Sequence, residues 1–480
     1  MLEYAAFIIT CIKPFLAIAI PFQILPLLIL MERRGAAFIQ DRPGPQRAAL
    51  NLTFGSIAGI FSLAPQGGIR LRAFGNLFTV ADGIKGLFKQ AFVPRFADRW
   101  YYALAPAIPV GAAIMTTAVL PWFGPMIFKT ANGVQTVTGQ ALDADAGLLV
   151  LFALGSLGVY GVVLGSWASN SKFSLLGGMR ASAMMISYEV SMGLSALGLI
   201  LLTGTFDLTG IVEWQANHTW GLFAQPLGFA LFTVAMFAEC NRTPFDVVEG
   251  ESELVAGFHT EYGSGRFLAF MTGEYLHVVL ASALIATLFL GGYSLLPFPL
   301  PSGELVQGNL NWVALDTNWI RTHLGLIGGI VLAVTGLLCL AFAWLVKRRR
   351  SYYLTIVSTD RAARAREYSL FITLFTLAGL GALAGAVVAW ILGDPTPLMG
   401  VYADGAPVYP LWVSLVAAAI QIGVVVGKII AVCWLFVWVR WTLPRFRYDQ
   451  IMALGWKVML NLAILNLIIT AVVMKVFAHG

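Results

Sequence analysis

Apolar residues run through this chain in long blocks, and the polar residues between them fall in short clusters. Blocks reaching the ~20 residues that a helix needs to cross a bilayer lie at 5–31, 101–123, 146–166, 184–204, 222–238, 274–298, 323–346, 369–392, 411–439 and 457–478. They predict an all-α, polytopic membrane helix bundle with about ten transmembrane helices. The longest polar interval follows the first block. There Glu32-Arg33-Arg34 ends the span and Pro43-Gly44-Pro45 forces a turn. Farther along, Leu77, Val80, Ile84, Leu87 and Phe88 recur at helical spacing, with Asp82, Lys85 and Lys89 on the other side. That pattern predicts a cytoplasmic amphipathic helix lying on the membrane or against a partner, either as an interfacial anchor or as the wall of a site.

Composition narrows the class. With 59% hydrophobic and 11% charged residues in 480, and a mean hydropathy of +0.80, the chain is excluded from the soluble globular range. Its first residues carry no basic segment and no cleavage site, so the first block reads as a retained span. Cys11, Cys240, Cys339 and Cys433 are scattered without metal-binding or haem-attachment spacing. No metal or cofactor is therefore expected on this chain, and any redox centre belongs to a partner. No nucleic-acid partner is expected either.

Charge then orients the bundle. Of the 30 Lys and Arg residues, 25 lie in the alternate segments 33–99, 167–183, 240–273, 347–368 and 440–457. The positive-inside rule puts these in the cytoplasm and both termini outside, as in a multi-pass protein of a bacterial cytoplasmic (inner) membrane. The basic segment 347–368 fixes orientation and suits anionic membrane lipid.

Against that basic background, residues 239–262 collect six acids (Glu239, Asp246, Glu249, Glu251, Glu253 and Glu261) around one Arg242. Charges beside lipid are costly unless paired, hydrated or used. Glu249 and Glu253 would share a face if this stretch is helical, while Glu251 would point elsewhere, and repelling acids at such spacing titrate as a set. Glu189 lies nine residues beyond Arg180, about 13 Å deeper along a helix. A carboxylate there is protonated, hydrogen-bonded as a structural element, or part of a proton relay. Glu274 and His277 open the sixth block. Lys428 lies 12 residues before Arg440, about 18 Å from the end of its helix, and so should face the bundle interior or a hydrated cavity.

Six motifs in order carry a resemblance. They are Glu32-Arg33-Arg34 with Gln40-Asp41-Arg42-Pro43-Gly44-Pro45, Ala81-Asp82-Gly83-Ile84-Lys85, Trp167-Ala168-Ser169-Asn170-Ser171-Lys172, Ile186-Ser187-Tyr188-Glu189, the stretch from Glu239, and Leu443-Pro444-Arg445-Phe446-Arg447-Tyr448-Asp449-Gln450. Together they resemble the H-subunit family of proton-pumping NADH:quinone oxidoreductase, respiratory complex I. The likeness covers most of the chain to about residue 298 and again from about 411.

The resemblance implies an eight-span core, here 1–298 and 411–480, that anchors the hydrophilic arm and forms the lower part of a quinone chamber. Arg33, Arg42, Lys85, Phe245 and Asp246 would line the quinone side. Glu189, Glu239, Glu249, Glu251, Glu253 and Glu274 would form a proton relay towards the pumping subunits. It implies quinone as substrate, and FMN and iron–sulfur clusters in partner subunits. The partners would be the hydrophilic quinone-module subunits and neighbouring membrane subunits.

The sequence departs from the family pattern in three places. About twenty residues are added before Ala81, and Thr79-Val80 replaces the usual Gln-Pro. Residues 299–410 add two spans and a basic loop, an inserted hairpin. Cys240 and Gly250 stand where Thr and Ala are usual. Two other readings are a homologous membrane subunit of a membrane-bound hydrogenase or ferredoxin-linked complex, and a stand-alone ion transporter. The second commonly shows repeated halves, and none is visible here.

Overall fold

The computed structural model describes residues 5–42, 44–45, 48, 50–52, 69–130, 133–248, 254–306, 309–313, 316–354, 359–398, 402–403 and 406–478. Eight of its helices are long and apolar enough to cross a membrane. They belong to α1 (Ala5–Ile39), α5 (Gly147–Ala168), α6 (Lys172–Thr203), α10 (Ser264–Phe289), α12 (Leu324–Leu354), α13 (Thr359–Leu392), α14 (Leu411–Thr442) and the continuous rod of α15 (Tyr448–Ala453), a π turn and α16 (Leu460–Ala478). The short helices α7 (Leu208–Asn217) and α11 (Thr317–Thr322) lie in the connections. Short antiparallel hairpins join some of the spans, including Met126–Thr130 with Gly133–Val137. The whole is an all-α membrane bundle.

The other two expected spans are interrupted helices. The second divides into α3 (Arg99–Leu104) and α4 (Ala107–Thr117), with the break at Pro106, whose missing N–H and ring clash interrupt the ladder. The fifth divides at Gln225 into α8 (Gly221–Ala224) and α9 (Pro226–Glu239). Lipid offers an interrupted backbone no hydrogen bonds, so protein neighbours must fill the gap. Here the Gln225 amide donates to Thr470 Oγ1 at 2.6 Å and accepts from Asn466 Nδ2 at 2.9 Å, tying the break to α16.

The sixth helix differs most from expectation. It starts at Ser264, ten residues before the apolar block, so Glu274 is not at its mouth but about 15 Å along it. The added turns carry Ser264 and Arg266, whose polarity hides them from a hydropathy reading. They are held from outside the helix. Ser264 Oγ donates to Gly86 O at 3.2 Å and Lys89 O at 2.5 Å, pinning the end of α2 (Leu77–Phe88).

The sequence motifs prove to be docking surfaces for one another. Ser174 Oγ donates to Phe258 O and accepts from Ser169 Oγ, both at 2.8 Å. Gly177 leaves the loop at Phe258 room to press in, since a Cβ there would stand 2.7 Å from Phe258 N. Tyr188 Oη donates to Ile451 O at 2.8 Å, and the Tyr188 ring meets Phe245, which in turn meets Phe446. Thus three polar loops close one end of the bundle, hereafter the basic end.

In the hairpin α12–α13, α13 is the least buried of the eight long helices, with 11% of its apolar stretch inside, and α12 is buried to 22%, the same as α1 and the last helix. At its outer end Leu324 and Ile327 pack on Val413 and Ala417 of α14. At the basic end it grips the first loop. The Glu367 carboxylate, 2% exposed, accepts from the backbone N–H groups of Arg72 and Ala73 at 2.6 and 3.0 Å. Phe74 inserts among Phe371, Phe342 and Tyr368, with ring centroids at 4.6, 5.4 and 6.0 Å. Ala73 and Phe74 sit at φ 45° and 55°, a region costly for side-chain-bearing residues and here held by these contacts.

Candidate functional site

A cavity with about 70 Å³ of room for water lies inside the bundle between α4, α5, α6, α9 and α10. Its walls are largely apolar because the facing helices are. Gly155 and Gly158 of α5 keep it open, with nothing within 4 Å of where a Cβ would stand. Into this space come Glu189 from α6, Glu239 from the last turn of α9, and Glu274 with His277 from α10. Three acids that the sequence separates by 85 residues thus share one chamber. Glu239 is 5% exposed, and its Oε2 has no hydrogen-bond partner among the described residues. It is close enough to Glu189 for the two carboxylates to repel. Ser156 stands within hydrogen-bonding reach of Glu189.

From Glu274 a line of charge leaves the cavity towards the basic end. The Arg242 guanidinium lies 3.9 Å from the Glu274 carboxylate and 4.3 Å from the Tyr275 ring centroid. Tyr275 hydrogen-bonds Glu32 of α1, and Glu32 pairs with Arg440 of α14 at 2.8 Å. These groups surround a second, small cavity. Alternating acid and base keeps each buried charge compensated, which an isolated carboxylate at this depth would not be. Glu32, Tyr275, Arg440 and Ser156 join the site although sequence reasoning assigned none of them a role there, and His277, singled out with Glu274 but given no role, lines the cavity beside it. For Glu32 and Arg440 a signal was present, since each is a charge ending an apolar block.

Of the remaining expected residues, Glu249, Glu251 and Glu253 lie outside the described residues. Arg33 stacks over Phe78 of α2 at 5.9 Å. Arg42 is exposed and donates from Nε to Gln40 Oε1 at 2.7 Å. Lys85 is exposed on α2, where Val80, Ile84 and Leu87 are exposed as well, so the apolar face of this helix is left for membrane or partner. Phe245, 3% exposed, is a packing peg between Tyr188 and Phe446, in a different setting from Arg33, Arg42 and Lys85. Asp246 is half-buried and near enough to the His259 imidazole to act on it electrostatically.

His259 is a further polar residue of this end. It is buried beside Phe258 and Phe267. Burial pushes its imidazole down to about 4 from the usual 6.5, against the opposing pull of Asp246. The folded state therefore holds it neutral, whereas the unfolded chain protonates it below pH 6.5. Its contribution is complete above pH 6.5 and is lost as pH falls towards 4, amounting to about 3 kcal/mol. Heat stability of the solubilised protein is expected to decline across that window, and His259→Phe to flatten the decline. An unchanged slope in the variant would place the acid lability elsewhere.

Comparison with known proteins separates the readings. A profile of the family described as NADH dehydrogenase matches residues 12–351 and 361–471. An NADH-quinone oxidoreductase H subunit of Cytophaga hutchinsonii is 33% identical over 446 residues, covering 93% of this chain and 91% of its own. The H subunit of Deinococcus radiodurans is 33% identical over 481 residues, 99% of this chain and 86% of its own. This chain belongs to the H-subunit family of NADH-quinone oxidoreductase. An H subunit of Solibacter usitatus, 33% identical, aligns over 96% of both chains. The family profile also covers most of 299–410. With its apolar helices, the chain is a multi-pass membrane subunit of this oxidoreductase complex, and the complex's other subunits are its partners.

Proposed function

We propose that this protein forms part of the quinone-binding chamber at the basic end of the bundle and couples quinone reduction to proton translocation through its buried acids. The observation that carries the reading is the convergence of Glu189, Glu239 and Glu274 on one cavity, joined to the basic end by Arg242, Tyr275, Glu32 and Arg440. Quinone as the substrate follows from what the relatives' names say of those proteins.

Reducing a quinone to a quinol takes two electrons and two protons, and the electrons would come from redox centres in partner subunits, the flavin and iron–sulfur proteins. This chain's part is to supply or sense the protons. Arg33, Arg42, Lys85 and Asp246, with Glu249, Glu251 and Glu253, would face the chamber; a change of charge there would shift Arg242 between Glu274 and the ring of Tyr275. Glu274 would then pass the shift to Glu239 and Glu189 through water in the cavity. By the charge distribution, the basic end faces the cytoplasm of a bacterium and both termini face outside.

The test reconstitutes the whole complex in vesicles and measures proton uptake per NADH oxidised. Glu189→Gln and Glu253→Gln are expected to lower pumping or coupled turnover in complexes that still assemble and still pass electrons from NADH to a soluble acceptor. Normal pumping in both variants would sink the relay. Loss of assembly instead would make these acids docking groups for a neighbouring protein of the complex.

A further inference from the structure

Where α12 leans on the first loop, the described residues do not close on one another. Among them a cleft of about 880 Å³ lies between the end of α1 and the last turns of α12. Its rim is cationic, formed by Arg34, Arg348 and Arg349, and its floor is apolar, formed by Phe74, Phe342 and Leu345. We propose that this cleft is a binding site for an anionic phospholipid, its phosphodiester on the guanidinium rim and its acyl chains along the floor.

Three observations select that occupant. First, the cleft lies at the level where apolar helix gives way to Lys347-Arg348-Arg349-Arg350, with the exposed Trp344 under Arg348 at 6.0 Å. A tryptophan and basic residues in this order mark the headgroup boundary of a bilayer. Second, the ligand must be amphipathic, since the floor side chains Phe342 and Leu345 are 39% and 51% exposed directly beneath the charged rim. A free anion would leave the floor wet, and an uncharged lipid would leave the rim unanswered. Third, both walls are fixed. Arg34 donates to Phe74 O, and Phe74 is held in the aromatic cage of the hairpin while Glu367 holds the backbone before it. A gap so braced within the bilayer is filled by lipid, because neither wall can move in to close it. The hairpin thereby acquires a role, that of a strut which seats one lipid against the first loop.

This inference stands apart from the quinone reading, and its readout is lipid rather than turnover. The intact complex is purified, washed exhaustively in mild detergent, and its retained phosphatidylglycerol and cardiolipin are counted per flavin by mass spectrometry. The rim variant R348Q/R349Q is expected to lose about one anionic phospholipid that the unmodified complex keeps. Two basic groups near a membrane surface correspond to about a thirtyfold weaker hold. The floor variant Leu345→Trp leaves every charge in place and is expected to lose the same lipid while binding of inorganic phosphate, followed by equilibrium dialysis, is unaffected. Equal lipid counts in all three complexes would overturn the proposal. Phosphate bound as tightly as phospholipid, with Leu345→Trp keeping its lipid, would overturn it in favour of a free-anion site. Should R348Q/R349Q fail to assemble, Leu345→Trp decides the matter alone.

Discussion

Replacing Glu239 by Gln is expected to lower proton-coupled quinone reduction by the assembled complex on the order of 100-fold, the lower range for removing a positioned proton-transfer group. Electron transfer from NADH to a soluble acceptor should stay near normal. The expectation rests on placement. Glu239 is the most buried of the three cavity acids by position, at the last turn of α9, and its Oε2 lacks a partner among the described residues. Gln preserves the shape, so the packing of this buried position is retained and assembly should survive. What disappears is a group that can gain and lose a proton between Glu189 and Glu274. Glu239→Asp keeps that ability but withdraws the carboxylate by one methylene, and is expected to fall between. A Glu239→Gln complex that pumps like the unmodified one would remove the central cavity from the route.

Lys428 gives the second large effect, of the opposite kind. Its depth in its helix predicts that it faces the interior or water, and the structure puts it at the C-terminus of α10. Its ammonium donates to Leu290 O, Gly292 O and Ser294 O at 2.7, 2.8 and 2.6 Å and lies 4.4 Å from the Trp220 ring. The carbonyls that end a helix lack intrahelical donors and concentrate negative potential. Lys428 supplies both charge and donors at that point, and the tight turn through Gly291 and Gly292, at φ 71° and 46°, brings the three oxygens to one place. Lys428→Met would leave three buried acceptors without this donor, a cost of about 3 kcal/mol or more. The expected result is loss of assembled complex or a sharp drop in its thermal midpoint. A Lys428→Met complex of normal stability that fails to pump would instead put this lysine on a proton path.

The comparison of the two residues shows where reading a sequence stops. Both are charges in apolar blocks, and intramembrane charge marks either as worth explaining. Only the partners separate them. Glu239 faces a void and other acids, whereas Lys428 faces carbonyls of a helix end 134 to 138 residues away in the chain. Glu274 teaches the same lesson from helix limits, because hydropathy begins the sixth helix at 274 while the polar turns from Ser264 move that residue into the interior. Phe245 was legible as part of a motif, and its burial between Tyr188 and Phe446 was not.

What the sequence determined by itself is the class and the frame. Block length and spacing dictate membrane-crossing helices, because a helix is the local solution to satisfying backbone groups in lipid and needs only its own residues. The six motifs dictate the family. What only the tertiary structure decided is convergence: which acids share a cavity, that Arg242, Tyr275, Glu32 and Arg440 continue the line from it, and that the α12–α13 hairpin clasps Phe74. Those facts depend on side chains from distant segments meeting across helix faces, and apolar membrane helices carry little amphipathic signal to say which face turns inward. Packing among such faces, set by close approaches at small residues such as Gly161 and Gly177 and by the breaks at Pro106 and Gln225, chooses the meeting points.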